Sequence, residues 1–188
     1  MADLTTVPDA TLLRRMTAGD EQAFTALYRR RQAGIYRFAL QMSGSEAIAE
    51  DVTQEVFLLL IREASTYDPG RGSLQAFLLG VARNYVLRVL EKNRAGLPLD
   101  EDAGLCAISA SDALASLTRE ETVESVRQAV LALPPHYREV VVLCDLEEMD
   151  YAHAAEALGC AVGTVRSRLH RARGLLLEKL RADPARCV

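Results

Sequence analysis

Residues 150–173 read DYAHAAEALGCAVGTVRSRLHRAR, and this stretch contains two helical patterns separated by one glycine. Asp150 can cap a short first helix that ends at Leu158. Gly159 then supplies a tight turn, and a second, longer helix is expected to begin within residues 161–163. Two helices joined by a three-residue turn that contains glycine match the helix-turn-helix signature. The spacing therefore predicts a helix-turn-helix in this part of the chain.

The second of these helices is strongly basic. Residues 162–175 contain four arginines, one histidine and no acid. Helical spacing points Val165, Leu169 and Leu176 inward, which leaves the guanidinium groups and His170 toward solvent. This is the distribution that a recognition helix in a DNA major groove requires. The alternative is an ordinary basic surface helix, which is the common explanation of a lone arginine pair.

The net charge of the chain hides how its charges are distributed. Among 188 residues, 26 acidic side chains outnumber 22 basic ones, and the resulting charge of −4 would argue against nucleic-acid binding. Residues 95–118, however, carry four acids and no base, whereas residues 11–94 carry 12 bases and nine acids. The hydrophobic content of 49% excludes a disordered chain. The low aromatic content of 5% disfavours an all-β sandwich.

The segment AGLPLDEDAGLCAISASDALAS (95–116) divides the chain. Small residues, Asp, Gly and one Pro interrupt the apolar period there, which is typical of a linker. The alternative is a long surface loop within one domain, although loops above about 15 residues are uncommon in compact folds. We therefore expect an all-α protein in which two small helical domains, residues 10–94 and 118–182, are joined by a flexible acidic linker at residues 95–117.

The N-terminal domain shows the apolar period of amphipathic helices throughout. Four helices are expected, the first at residues 10–17 and the others capped by Asp20, Ser45 and Ser73. The second ends at Gly44, and the third stops before a Tyr-Asp-Pro-Gly turn. No strand pattern competes with this prediction.

Two further helices are expected ahead of the helix-turn-helix. Residues 118–121 read TREE, a capping box that is predicted to start the first of them. Pro134 and Pro135 end that helix and begin the next, because proline is tolerated in a first turn. The buried face of this next helix is predicted to comprise Val140, Val141 and Leu143.

Two surfaces of the N-terminal helices have polar, charged or exposed apolar side chains that the packing of a helical bundle does not require. One combines polar side chains with two apolar ones that are predicted to be exposed, namely Asp51, Gln54, Glu55, Phe57 and Leu58. The other is a basic and amide-bearing face formed by Arg83, Asn84, Arg88 and Lys92. The alternative for each is a solvated surface without function.

These residues lie in segments that resemble a known family. The runs AEDVTQEVFLLL (49–60), YDPGRGS (67–73) and FLLGVARNYVLRVLEKNR (77–94) look like domain two of a bacterial sigma factor, most closely the minimal, extracytoplasmic-function (ECF) group. The resemblance implies that the first surface docks on the clamp helices of RNA polymerase. It also implies that the third segment and the loop before it bind the −10 promoter element as single-stranded DNA.

The resemblance assigns roles on the basic face. Asn84 stands where the family carries an Asn that reads a flipped base, and Arg83, Arg88 and Lys92 would pair with phosphates. The chain departs from the family by Phe77, where a Trp is frequent, and by lacking the Arg-Leu-Trp ending of the first segment. The missing Trp weakens the expectation of aromatic stacking but not that of the fold, since Phe fills a similar core position.

The run LPPHYREVVVLCDLEEMDYAHAAEALGCAVGTVRSRLHRAR (133–173) resembles sigma domain four, which in the family reads the −35 element as a duplex and touches the polymerase flap. Residue match implies a groove-facing set of Arg166, Ser167, His170 and Arg171. It implies phosphate contacts from Arg168 and Arg173. His153 replaces a frequent Glu that could complete a capping box, and Ala161 replaces a Pro or Ser, so slightly lower stability is expected.

The resemblance thus implies an alternative sigma factor whose partners are core RNA polymerase, promoter DNA and an anti-sigma factor. Two other functions fit the residues alone. One is a stand-alone helix-turn-helix repressor or activator whose N-terminal half is a sensor or dimerisation module. The other is an interaction protein that sequesters polymerase without directing initiation.

Neither a catalytic nor a metal site is predicted. Cys144, His153 and Cys160 lack the four closely paired ligands of structural zinc, and no Walker loop, HExxH or triad signature occurs. No cofactor, small-molecule substrate or membrane insertion is therefore expected. The four cysteines are widely spaced, and the N-terminus has no export signal, which together suggest reduced thiols in the cytoplasm.

Overall fold

The fold is that of a computed structural model, which describes residues 4–64, 67–95 and 114–182. The described residues form helices and contain no strand, which confirms the all-α prediction. The helices are α1 (Asp9–Thr17), α2 (Glu21–Ser43), α3 (Glu46–Arg62), α4 (Leu74–Ala95), α5 (Leu114–Leu131), α6 (Pro135–Val141), α7 (Tyr151–Leu158) and α8 (Val162–Ala182). A 3₁₀ turn at Pro69–Arg71 precedes α4, and a π-helical segment at Val142–Leu146 follows α6.

The predicted caps form at the starts of the N-terminal helices. The Asp20 carboxylate accepts hydrogen bonds from two backbone N–H groups of the first turn of α2. The Ser45 hydroxyl accepts from the N–H of Ile48 at the start of α3, and the Ser73 hydroxyl accepts from that of Ala76 at the start of α4. These bonds satisfy N–H groups that have no partner within the helix. Gly44, at φ +71°, ends α2 in the left-handed conformation.

Helices α1–α4 form the N-terminal domain, and their buried apolar side chains belong to a hydrophobic cluster that continues into the helices of the C-terminal domain. Each of the four helices contributes side chains that are almost fully buried, and each such side chain stabilises the fold by roughly 1.5–3 kcal/mol through the hydrophobic effect. These side chains include Leu12, Leu27, Phe38, Met42, Val56, Leu60, Leu78 and Val86.

Helices α5–α8 and the π-helical segment form the C-terminal domain. Val140, Val141 and Leu143 are buried, as predicted. The prediction that Thr118 caps α5 is wrong, because the helix already begins at Leu114 and Thr118 lies inside it. Residues 114–118 contain no Gly or Pro, so nothing in the local sequence prevents the extra turn. The rest of the predicted linker, residues 96–113, lies outside the described residues.

The two domains pack against each other in this structure. Helix α4 lies on α7, and Gly80 of α4 faces the backbone of Ala157, where a Cβ atom would come within 3.1 Å of the Ala157 carbonyl oxygen. Glycine at position 80 therefore permits a close approach of the two helices. At the other end of the contact, Arg127 and Arg138 of the C-terminal domain donate to the carbonyl oxygens of Gly44 and Met42, at the end of α2. These bonds satisfy carbonyls that a helix end leaves free.

Among the described helices, none is long and apolar enough to cross a membrane.

Candidate nucleic-acid interface

The helix-turn-helix is formed by α7 and α8. The Asp150 carboxylate accepts from the N–H groups of Ala152 and His153 at the start of α7. Gly159 ends that helix at φ +62° and so makes the turn. Three fully or almost fully buried side chains then hold α8 against its own domain, namely Val165, Leu169 and Ala172. One edge of α8 is thus fixed, and the opposite edge faces solvent.

His153 contributes to this start. Its Nδ1 atom contacts the second oxygen of the Asp150 carboxylate, while its backbone N–H donates to the first. This contact is to the Asp150 side chain, whereas a capping-box Glu would accept from the Asp150 backbone N–H, so the slightly lower stability stays a prediction. An imidazole at the third helical position reaches the same carboxylate from its own side chain.

The exposed edge of α8 carries the side chains that the family resemblance places toward the DNA major groove. Arg166, Ser167, His170 and Arg171 are all exposed. Arg166 lies over the ring of Tyr151 on α7, with 5.7 Å between the guanidinium carbon and the ring centroid, which is cation–π geometry. Ser167 donates to the carbonyl oxygen of Thr164 at 3.1 Å. This edge forms a convex, cationic surface.

The two arginines assigned to phosphates are both paired within the protein. Arg173 donates to Asp145 of the π-helical segment at 2.6 and 3.1 Å. Arg168 is half-buried and donates to Glu139 of α6 at 3.3 Å. These acids orient the arginines in the absence of DNA, and each would compete with a phosphate for its arginine.

The basic face of α4 contains exposed side chains and one that is paired within the protein, a division that α8 also shows. Asn84, Arg88 and Lys92 are exposed. Arg83 is instead directed at the other domain, where its guanidinium donates to the two oxygens of Glu139 at 2.6 and 3.3 Å. In this packing of the domains, three of the four predicted contacts are available to a ligand and the fourth is engaged.

The loop before α4 is ordered by its own side chains. Asp68 accepts from the N–H of Gly70 at 2.9 Å, and the Tyr67 hydroxyl donates to the carbonyl oxygen of Gly72 at 3.0 Å. The Tyr67 and Phe77 rings pack with their centroids 5.6 Å apart. Burial raises the pKa of the Tyr67 phenol, and nearby carboxylates add to that shift. Tyr67 therefore remains a neutral donor that holds the loop against the start of α4.

A groove of about 590 Å³ lies between α2 and α3. Gln54 and Leu58 line it, the first exposed and the second half-buried, whereas Asp51 and Glu55 are exposed on α3 but do not line the groove. The prediction that Phe57 is exposed is wrong, because its side chain is 3% exposed. Its ring lies 4.6 Å from that of Tyr28 and 6.4 Å from that of Phe24, measured between centroids, in an aromatic cluster on the groove floor.

Glu139, which was not predicted from the sequence, links the two predicted DNA-binding surfaces. Its side chain is 1% exposed and joins Arg83 of α4 to Arg168 of α8. The sequence feature that could have indicated its burial is that this acid directly precedes the apolar run from Val140 to Leu143. A charged group at such a position requires partners when it is buried.

The cysteine and histidine positions form no metal centre within the described part of the chain, where no group of three or more candidate ligands occurs. Cys144 and Cys160 are both unpaired thiols. Burial raises the pKa of the Cys144 thiol to about 11, and the neighbouring Asp145 carboxylate adds to the shift. Cys144 is therefore a protonated, unreactive thiol at neutral pH.

Two family models match the chain over these surfaces. Sigma-70 region 2 matches residues 27–96, which include the groove and the basic face of α4. Sigma-70, region 4 matches residues 124–176, which include the helix-turn-helix. The fold and its surfaces thus define a transcription-initiation protein of the sigma-70 class with a helix-turn-helix DNA-binding region.

Proteins of similar sequence identify the family to which the chain belongs within the sigma-70 class. The ECF RNA polymerase sigma factor SigE of Mycolicibacterium smegmatis is 34% identical over 86% of this chain, which spans 64% of that relative. The ECF RNA polymerase sigma factor SigM of Mycobacterium tuberculosis is 32% identical over 92% of this chain and 84% of its own length. The chain belongs to the ECF sigma factors, a family of transcription regulators rather than catalysts.

Solved structures share the arrangement of both domains. CnrH, in complex with the cytosolic domain of CnrY, superposes with a TM-score of 0.71 and 26% identity over 93% of this chain and 98% of that one. The sigma factor RpoE of Bartonella quintana, in complex with the anti-sigma factor NepR, gives a TM-score of 0.59 and 25% identity over 87% and 97% of the two chains.

Proposed function

We propose that this protein is an alternative sigma factor that binds core RNA polymerase and directs initiation at promoters with defined −10 and −35 elements. The observation that carries this proposal is the exposed cationic edge of α8, held by buried apolar side chains in a helix-turn-helix. In this assignment the N-terminal domain comprises residues 10–94 and the C-terminal domain residues 118–182, with a linker at 95–117.

The α8 edge would read the −35 element in the major groove. Arg166 and Arg171 can each donate two parallel hydrogen bonds to the O6 and N7 atoms of a guanine, and Ser167 and His170 can contact neighbouring base edges. Arg168 and Arg173, which are paired with acids in the free protein, would turn to the flanking phosphates. Because the buried apolar edge of α8 fixes the helix within its domain, it would also fix the angle at which the helix enters the major groove.

The basic face of α4 would hold the opened −10 strand. The Asn84 amide offers both a donor and an acceptor to a base that has left the stack. Arg88 and Lys92 lie one and two turns further along the exposed face and can pair with phosphates. Arg83 would join them once it leaves Glu139.

The groove between α2 and α3 would receive the polymerase clamp. Its aromatic floor offers apolar area, and Glu50 and Gln54 provide a polar rim, which is the usual anatomy of a protein interface. Asp51 and Glu55 are exposed next to these residues in the sequence of α3 and would extend the polar contact. Leu58→Glu would place a charge against this floor and is expected to weaken core binding. The matched control is Val123→Glu, since Val123 is 63% exposed on α5. Equal core affinity of the two variants would exclude the groove as the docking site.

An anti-sigma factor is a further proposed partner, because RpoE, which shares both domains with this chain, is bound to the anti-sigma factor NepR in its solved structure. As a partner of RNA polymerase, the protein would act in the cytoplasm.

The proposal is tested by transcription in vitro from a fragment library of the source genome with purified core polymerase. We expect the protein to produce new 5′ ends that share two upstream elements. Tight binding of promoter fragments without polymerase would instead indicate a repressor or activator. Inhibition on all templates, with no new 5′ ends, would indicate sequestration.

A further inference from the structure

One arginine holds the N-terminal segment of the chain against α2. The two terminal nitrogens of the Arg30 guanidinium donate to the backbone carbonyl oxygens of residues 4, 5 and 7 at distances of 2.7 to 2.9 Å. The same group donates to the Asp9 carboxylate at 2.6 Å. Because one planar guanidinium binds three backbone acceptors and a carboxylate, it fixes the path of residues 4–9 along the helix.

The Asp9 carboxylate connects this segment to the start of α4. Its second oxygen accepts from the Arg31 side chain at 2.7 Å, and another nitrogen of the same guanidinium donates to the Gln75 side-chain oxygen at 2.6 Å. The Asp9 side chain is 13% exposed, so its two ion pairs are better shielded from water than a surface pair is. Gln75 is the second residue of α4 and is exposed. A chain of polar contacts thus joins the N-terminal segment to α4.

The same carboxylate acts on the first residue of the loop at residues 67–73. Burial, and then the charge of Asp9, raise the pKa of the Tyr67 phenol. The hydroxyl of that phenol donates to the Gly72 carbonyl oxygen at 3.0 Å and so closes the loop. Tyr67 begins the loop and Gln75 follows it by two residues, so the influence of Asp9 extends to both ends of the loop.

The loop itself is weakly fixed by burial. Asp68, Pro69 and Gly70 are exposed. Gly72 has a φ of +145°, a conformation that glycine adopts far more readily than other residues. Two glycines within seven residues increase the number of conformations that are open to the chain. Contacts at the two ends of the loop therefore have a large share in selecting its conformation.

We propose that Asp9, through Arg31 and Gln75, is a positioning residue for the loop at residues 67–73 and thereby for base selection within the −10 element. This inference rests on the proposed function of α4 and the loop before it. A site that distinguishes bases must hold its contacting groups to within about 0.5 Å, because a loose site binds correct and incorrect bases with more similar affinity. Loss of the Asp9 contacts is therefore expected to reduce base discrimination more than strand binding, which depends mainly on charge.

Two substitutions of the full chain remove different parts of this connection. Asp9→Asn removes the charge that both arginines share, and Gln75→Ala removes only the exposed contact on α4. Gln22→Ala is the matched control, because Gln22 is exposed and is likewise the second residue of its helix, α2. The double variant Asp9→Asn/Gln75→Ala tests whether the two residues act through one path.

Hydrogen exchange measures the loop, and transcription measures base selection. Exchange of the free protein is followed by mass spectrometry in a peptide that covers residues 67–73. Transcription in vitro with core polymerase uses a mapped promoter and all single-base variants of its −10 and −35 elements. The unfolding midpoint in urea is measured in parallel, because it separates a loss of global stability from a change confined to the loop.

We expect the loop to exchange faster in both single variants than in the wild type and the control. At one or more −10 positions, the ratio of transcription from the best base to that from the worst base should fall by about threefold to tenfold, the range that one hydrogen bond contributes. The −35 profile should stay unchanged. The double variant should lose no more discrimination than Asp9→Asn alone, since both substitutions interrupt the same path.

Unchanged exchange of the loop in both single variants would overturn the connection from Asp9 to the loop. Faster exchange with an unchanged −10 profile would overturn the role in base selection. Additive losses in the double variant would overturn the path through Gln75. A wild type that starts no promoter-specific transcript would contradict the proposed function instead, and the exchange result would still decide whether Asp9 holds the loop.

Discussion

Arg168 of α8 donates a hydrogen bond of 3.3 Å to Glu139 of α6, whose side chain is 1% exposed. Both residues belong to the C-terminal domain, so this contact lies within one domain, unlike the Arg83–Glu139 pair. It compensates in part for the burial of a carboxylate, which otherwise costs several kcal/mol. Arg168 therefore holds α8 against α6, in addition to its proposed contact with a phosphate.

Arg168→Met is expected to lower the free energy of unfolding by about 1–3 kcal/mol, because a buried acceptor loses its partner within the domain. Urea unfolding measures this change. The double variant Arg168→Met/Glu139→Gln should recover part of the loss, since it no longer buries a charge. Wild-type stability of the single variant would show that the contact is not stabilising.

Asp145→Asn is expected to strengthen binding to duplex DNA, because Arg173 loses the carboxylate that holds it at 2.6 Å. The number of phosphate contacts in the complex is the same in both proteins, so the affinity should rise at every salt concentration while the slope of log Kobs against log salt concentration stays the same. Anisotropy titrations with a random 20-base-pair duplex at several salt concentrations measure both quantities. Asp145→Asn/Arg173→Gln should show no such gain. The same gain in both variants would attribute the effect to the lost negative charge alone.

Acid should destabilise the protein through its helix caps. The Ala23 N–H, and then the Arg15 side chain, hold the pKa of Asp20 below its ordinary 3.8. The backbone N–H of His153, and then its imidazole, do the same for the pKa of Asp150. A lowered pKa in the folded state means that the stabilisation is complete above pH 3.8 and disappears as the pH falls through the lower value.

The measurement for this prediction is the unfolding midpoint in urea between about pH 6 and pH 2. Asp20→Asn/Asp150→Asn keeps both caps without their charges, so its midpoint should depend less on pH in the acid range. Identical pH profiles of the variant and the wild type would contradict the prediction.

Alkali should act through Cys144. Because burial raises the pKa of its thiol from 9.0 to about 11, the unfolded chain releases this proton first. The stability associated with the neutral thiol is present below pH 9 and is lost as the pH rises toward about 11. Cys144→Ala should flatten the decline of the unfolding midpoint in this range, as measured by denaturant unfolding. A decline of unchanged slope would assign it to other groups.

Local sequence signals were sufficient for the caps and for the helix-turn-helix. Asp20, Ser45 and Asp150 each act on N–H groups two or three residues away, so their roles are local and can be predicted from one stretch of sequence. Gly159 is of the same kind. The exposed edge of α8 also follows from a helical period alone, because the buried positions Val165 and Leu169 determine its orientation.

Burial could not be predicted from the sequence for helices that pack against neighbours on more than one side. Val81, Tyr85 and Val89 of α4 are spaced four residues apart, as in one apolar stripe, but they are half-buried, whereas Ala82 and Val86 lie in the core. Helix α4 contacts α2 and α3 on one side and α7 on the other, so no single stripe describes it.

The prediction that Phe57 is exposed was wrong for a related reason, because its side chain is buried against Phe24 and Tyr28 of another helix. The Arg83–Glu139 pair spans 56 positions, and no periodicity encodes such a contact.

The central claim, that two separate surfaces read two promoter elements, is tested by one assay. Transcription in vitro with core polymerase is measured on every single-base variant of a mapped promoter, using the wild type, Arg171→Ala and Asn84→Ala. We predict that Arg171→Ala relaxes base preference within the −35 element by about 1–3 kcal/mol and leaves the −10 profile unchanged. Asn84→Ala should relax preference within the −10 element alone. Profiles equal to that of the wild type, or changes spread over both elements, would contradict the claim.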